Sequence, residues 1–193
     1  MMRHKNPVLF YCRLLCLFSI LISCKRPAST IVIHAALGDM TIRTIPGLPK
    51  AAAAQLDELL AANPDSLAVD KVLHDGFIQI NFQANPGQSL PGEQDLPLSG
   101  ALVVSAGRFY LVQGRAHTDA SLDKWEQTSG RKIAPKAREL YKLHGGTLLL
   151  EGRCSVVGKL VSGKEVLDRI AALPNDAAGR PLRAVPLKLE ERR

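Results

Sequence analysis

The chain has little cysteine, and what it has is badly placed to pair. Four occur in 193 residues: Cys12 and Cys16 lie in a segment that reads as removable, Cys24 stands just beyond it, and Cys154 is the only one in the body of the chain. An intramolecular disulfide is thereby excluded from the mature protein. A chain of this length builds enough core to do without one. Also missing is any Lys/Arg run interleaved with aromatics. Of the formal net charge of +7, Arg3, Lys5 and Arg13 supply three, and the remaining +4 is spread along the sequence, which argues against a nucleic-acid partner. His34, His74, His117 and His144 show no two-ligand spacing with one another or with Cys154, so no metal and no cofactor is expected. There is no Gly-x-Ser-x-Gly and no internal repeat. Gly158 to Lys164, GKLVSGK, has the glycine and lysine spacing of a phosphate loop. Glu165, however, stands where a Ser or Thr is needed, and Lys159-Leu160-Val161 reads as strand, leaving nothing to cradle phosphates.

What is present begins with a targeting pattern. A basic start, MMRHK, leads into an apolar run from Leu14 to Ile22 that is short for a membrane span and has the size of a signal-peptide core. It ends in Leu21-Ile22-Ser23-Cys24, which resembles the bacterial lipoprotein signal, where a small residue precedes a cysteine that is lipidated and becomes the new N-terminus. The resemblance implies a signal peptide over 1–23, a lipidated tether over 24–30 and a domain over 31–193. It further implies a membrane-anchored location in the cell envelope, facing the periplasm or the exterior, with Cys24 as the lipidation site.

The body alternates between short strands and isolated helices. Ile31 to Ala36 and Met40 to Ile45 form a hairpin about Leu37-Gly38-Asp39. Pro49 opens a helix over Ala51–Ala62, with Leu56, Leu59 and Leu60 on one face, and Asn63-Pro64 ends it. Gln83 to Ser99, rich in proline and without periodicity, is an irregular loop. Gly100–Ala106 and Phe109–Gln113 are strands about Gly107-Arg108. The stretch 118–144 is a helical insert, with Asp119 leading into Leu122 and the packing residue Trp125, and Pro135 opening a second helix. Ser155–Val161 is a strand, Gly163–Ala171 a helix with Val166, Leu167 and Ile170 inward, and Val185–Leu189 a last strand.

The segment Val69–Phe82, VDKVLHDGFIQINF, organises the rest. Two apolar alternations, Val69/Lys71/Leu73 and Ile78/Ile80/Phe82, break at His74-Asp75-Gly76 and predict two strands joined by a tight bend. Lys71, Phe77 and Gln79 alternate away from the packed set. One face therefore offers a cation, an aromatic ring and an amide.

Taken in order, LGDMTIR, the helix-opening PK, KVLHDGFIQ, GAL with FYLVQG, GGT-LLEGRCSVVGKLVSGKEVLDRIAAL and the closing RPL-V-LKL resemble the cyclophilin family of peptidyl-prolyl isomerases over roughly Ile31 to Leu189. The insert before Gly145-Gly146 is similar to that of bacterial envelope cyclophilins. The implied fold is mainly β, a closed eight-stranded antiparallel barrel with two capping helices and a helical insert. By position, the family's essential arginine falls on Lys71 and its glutamine on Gln79. Its pocket residues fall on Gly76, Phe77, Tyr110, Leu150 and, for a histidine, Cys154. Lysine keeps the charge and loses the planar fork of donors, which raises the barrier by ~3 kcal/mol if it equals the loss of one oriented donor. Gly76 removes a pocket wall that Phe77 is expected to refill in part. Ala54-Gln55 stands where the first helix of the family carries an Asn-Phe pair.

The implied function is isomerisation of X-Pro bonds in exported proteins by a monomer with a degraded active site. Lys71 would be catalytic, and Phe77, Gln79, Tyr110, Leu150 and Cys154 would bind proline-containing segments. The alternative, resting on Lys71, Gly76 and Cys154, is a non-catalytic protein-binding module on the same fold.

Overall fold

The computed structural model describes residues 27–85 and 95–192. The signal segment, Cys24 and the middle of the loop expected over Gln83–Ser99 lie outside them. Eight strands make one antiparallel sheet: β1 (Thr30–Ala35), β2 (Gly38–Thr44), β3 (Val69–Leu73), β4 (Phe77–Gln83), β5 (Ala101–Ser105), β6 (Arg108–Val112), β7 (Ser155–Ser162) and β8 (Leu187–Arg192). Their order across the sheet is β3-β4-β6-β5-β7-β2-β1-β8. The described helices are α1 (Lys50–Leu60), α2 (Asp119–Ser129), α3 (Pro135–His144) and α4 (Lys164–Ala171).

The concave face carries the main core. Ile31, Ile33, Met40, Ile42, Ile78, Ile80, Leu102, Val104, Leu111 and Val157 alternate inward along their strands and meet Leu56 and Leu59 of α1 and Val166, Leu167 and Ile170 of α4. Each such side chain, fully buried, contributes about 1.5–3 kcal/mol. The two helices cap the curl as expected. The segment GKLVSGK is the end of strand β7, with Gly163 and Lys164 opening α4.

The expectation of a closed barrel requires correction. No ladder joins the outermost strands β3 and β8; the sheet is an open, curled one. The gap is bridged by the segment leading into β8. Val72 N–H donates to Gly179 O (2.7 Å), Val69 N–H to Val185 O (2.9 Å) and Leu187 N–H to Leu67 O (2.8 Å), with an isolated bridge between Ala68 and Pro186. The bridge stays isolated: Val69 and Leu187 make the bonds on either side of the Ala68–Pro186 pair, and further along β3 the contact is the single bond from Val72 to Gly179, with Pro181 in between having no N–H to give. The last strand begins at Leu187, opposite Ala35 at the end of β1, two residues beyond the expected Val185.

The helical insert is built around a core of its own, Leu122, Ile133, Ala137, Tyr141 and Leu148, with Trp125 packed against it as expected. Thr118, one residue before the expected Asp119, caps α2 in a reciprocal box with Ser121. Glu126 and Arg138 hold the helices together. Arg138 reaches Asp123 (2.7 Å), Asp119 (3.1 Å) and Glu126 (3.3 Å), while Glu126 takes Lys132 (2.9 Å) and the Ile133 N–H (2.9 Å). Those last two contacts, Lys132 first, hold the Glu126 carboxyl at about 2. No described helix is long and apolar enough to cross a membrane.

Candidate active site

Alternation along β4 sends Ile78 and Ile80 to the concave core and Phe77 and Gln79 to the convex face. Register then builds a row across five strands on that face. Lys71 of β3 pairs with Gln79 of β4, Gln79 with Tyr110 of β6, Tyr110 with Val103 of β5, and Val103 with Val156 of β7. In the next row Leu73 pairs with Phe77, and Phe77 with Val112.

This face is not the wet surface that alternation alone suggests. Phe77, Ala101, Val103, Val112, Leu150, Cys154 and Val156 form a second apolar cluster, with Ile45, Leu73 and Tyr110 packed on it. Phe77 is 8% exposed and Gln79 is 6% exposed. The Phe77 and Tyr110 rings meet edge to face, centroids 4.9 Å apart, a contact worth about 0.5–1.5 kcal/mol beyond its area. Burial raises the Tyr110 hydroxyl above its ordinary pKa, and the nearby Arg108 charge opposes that shift.

A bulge at Asp70 changes the polar end of the row. Val69 pairs with Ile80 and Lys71 with Gln79, so two steps on β3 match one on β4 and Asp70 is the extra residue. Gln79 Nε2 donates to Asp70 Oδ2 at 3.0 Å. Gln79, expected to bind substrate with its amide, thus has its nitrogen engaged, leaving the carboxamide oxygen to accept from a peptide N–H. Lys71 is exposed, and its stem runs along the bridging segment: a Cβ on Gly179 would lie 3.3 Å from Lys71 Cγ and 3.4 Å from Cε.

The bend between β3 and β4 falls at His74-Asp75-Gly76 as expected. Asp75 holds a left-handed φ of 59°, rare outside glycine, and its N–H donates to Gln113 Oε1 (3.0 Å), whose Nε2 donates in turn to Asp168 of α4 (3.1 Å). The space beside Gly76 is taken by Leu73, while Phe77 packs with Leu150 and Cys154 in the apolar cluster of this face. A Cβ on Gly76 would fall 2.8 Å from Leu73 Cδ2.

Leu150 and Cys154 flank the turn 151–153, which the insert clamps. Arg131 Nη1 donates to Glu151 O (2.6 Å), Arg131 stacks over Trp125 at 5.7 Å, and Tyr141 Oη donates to Glu151 Oε2. Burial raises the Glu151 carboxyl and the Tyr141 hydroxyl. Cys154, 1% exposed and a free thiol, is pushed up to about 12 by burial, then by the Glu151 and Asp95 charges. It is a neutral, buried apolar group, without the donor a histidine would bring.

All six positions expected in the site, Lys71, Phe77, Gln79, Tyr110, Leu150 and Cys154, therefore lie on or at the rim of one face. A cavity of about 730 Å³ opens beside it, between Ile45, Leu98, Ala101 and Val156 on one side and Leu140 and His144 of α3 on the other, and none of the six lines it. Among the described residues no three His, Cys, Asp or Glu side chains come together as a metal site.

Comparison with solved structures names the architecture. A cyclophilin type peptidyl-prolyl cis-trans isomerase of Cryptosporidium parvum superposes with a TM-score of 0.59 at 12% identity, covering 86% of this chain and 99% of that one. The fold is a cyclophilin fold. The same Cryptosporidium parvum protein in the presence of the dipeptide Ala-Pro gives 0.53 at 12% identity, over 83% of this chain and 96% of that one. No protein-family model and no curated protein matches the chain. Within this cyclophilin fold, Asp70 and Leu73 are the site residues that sequence reasoning missed. Leu73 could have been found from its facing position opposite Phe77, whereas the Asp70 bulge has no signal in the alternation of Val69, Lys71 and Leu73.

Proposed function

We propose that the chain holds proline-containing segments of exported polypeptides on the convex face of β3, β4 and β6, and isomerises their X-Pro bonds slowly. The observation that carries this reading is the row from Lys71 through Gln79 and Tyr110 to Val103, which sets a cation at one end of an apolar, aromatic floor. A proline ring fits against Phe77, Tyr110 and Leu150. Rotation about the X-Pro bond is opposed by amide resonance worth about 18–20 kcal/mol in ordinary peptides. A cation lowers that barrier only as far as it binds the twisted amide better than the planar one, and Lys71 supplies the charge without the oriented fork. The Ala-Pro dipeptide present with the Cryptosporidium parvum protein supports this class of ligand. Location follows the sequence pattern: the mature chain begins at a lipidated Cys24 and works as a membrane-anchored monomer of the cell envelope.

A second reading, a binding module without catalysis, is favoured by Gln79, whose amide nitrogen is bound to Asp70. One experiment separates the two. An Ala-Pro peptide is titrated into the protein by NMR, and its cis-trans exchange rate is measured with and without protein. Shifts at Phe77, Tyr110 and Leu150 with accelerated exchange support the isomerase; the same shifts with exchange unchanged select the module. No shift on this face removes both.

A further inference from the structure

The apolar face has a charged side that the isomerisation chemistry does not use. Arg108 opens β6 two residues before Tyr110, so both point to the convex face, and its charge is felt at the Tyr110 hydroxyl. Ser105 pairs with Arg108 across the β5–β6 turn, and Ser105 Oγ donates to Arg153 O at 2.6 Å. Arg153 N–H in turn donates to Leu150 O (3.0 Å), and Cys154 follows it directly. Two arginines from distant parts of the sequence are thus drawn to one border of the Phe77, Tyr110, Leu150 and Cys154 surface. Both are exposed, and neither guanidinium has an acidic partner among the described residues. The acids nearby are otherwise engaged: Glu151 takes the Tyr141 hydroxyl, Asp95 the Val156 N–H and Asp70 the Gln79 amide.

We infer that Arg108 and Arg153 select among proline-containing segments, favouring those with an acidic side chain two or three residues from the proline. The spacing follows from strand geometry. Arg108 lies two residues, about 7 Å, along β6 from Tyr110, and an extended peptide covers that distance in two to three residues. The inference rests on the binding face proposed above and adds its selectivity.

The test uses three sets of Ala-Pro peptides carrying Glu, Gln or Lys at two or three residues on either side of the proline, with affinity to the full chain measured at low and high salt. Glu peptides of at least one side should bind about fivefold tighter than Gln peptides, roughly 1 kcal/mol, and 0.5 M salt should erase most of the difference. Arg108→Gln with Arg153→Gln should remove the preference and leave the Gln peptide's affinity in place, and Arg108→Glu should turn it towards Lys peptides. Gln peptides that bind while Glu and Lys peptides match them would overturn the selectivity and spare the face. Failure of every peptide to bind removes the face and the selectivity together.

Discussion

Leu73 stands in the space that a side chain on Gly76 would need. A Cβ there would approach Leu73 Cδ2 to 2.8 Å and Leu73 O to 3.2 Å, so the two positions compete for one space. Gly76→Ala should cost about 1–3 kcal/mol by overpacking. Combined with Leu73→Ala, the two changes should depart from additivity by ~0.5 kcal/mol or more, read from denaturant midpoints of the four proteins. Additive losses would mean that Leu73 does not fill this space.

Lys71 gives the prediction on rate. Restoring the planar fork with Lys71→Arg should raise the catalysed isomerisation rate by about one to two orders of magnitude, and Lys71→Ala should abolish it. If both variants match the wild type, the cation has no part in the chemistry.

Cys154 should be inert. With the thiol buried and held at about 12, iodoacetamide at pH 8 should leave it unmodified in the native protein and alkylate it after denaturation. A reductant should leave the melting temperature unchanged. The raised thiol value also carries a sign. Stability from the buried neutral thiol is complete below the unfolded value of about 8.5 and declines as pH rises from there toward 12. Rapid native alkylation would contradict the buried geometry.

His34 ties three strands through its ring. Its Nδ1 meets Asp39 of β2 at 2.9 Å and its Nε2 meets Glu190 of β8 at 3.3 Å, and these carboxylates, Asp39 first, raise its pKa above the ordinary value. A raised folded value means stability that is fully present below about 6.5 and lost as pH climbs through the folded value. The melting-temperature gap between wild type and His34→Gln should therefore be widest near pH 5.5 and close by pH 9. A gap independent of pH would show that the ring works as a neutral hydrogen-bonding group.

Cys24 gives the prediction on location. Mass spectrometry of the mature N-terminus should find an acylated Cys24, since two or more chains are what stable membrane attachment takes. A cleaved, soluble protein with an unmodified Cys24 would refute the anchor.

Strand alternation made most of the architecture legible. Ile31, Ile33, Ile42, Ile78 and Ile80 alternate without interruption, and all of them point into one core. Proline at residue 49 and the leucines at 56 and 59 likewise marked the first helix. What could not be read was whatever depends on tertiary neighbours. That Phe77 and Gln79 are buried comes from Leu150 and Cys154 crossing their face from more than 70 positions away. The bulge at Asp70 is invisible because one added residue leaves composition and local pattern intact. Closure failed as an expectation for a different reason: the strand-forming residues from Val185 to Leu189 say nothing of their partner, and β8 pairs with β1 while only the isolated bridge at Ala68 and Pro186 reaches towards β3.

The segment from Gly179 to Val185 that bridges β3 has a further effect. By accepting from the outward N–H groups of Val69 and Val72, it denies the edge to an incoming strand, and its own Pro181 has no N–H with which to extend a sheet. An exposed edge of this kind is a template for intermolecular pairing. The loop thereby guards the β3 edge against self-association, and shortening it should promote aggregation before the concave core is disturbed.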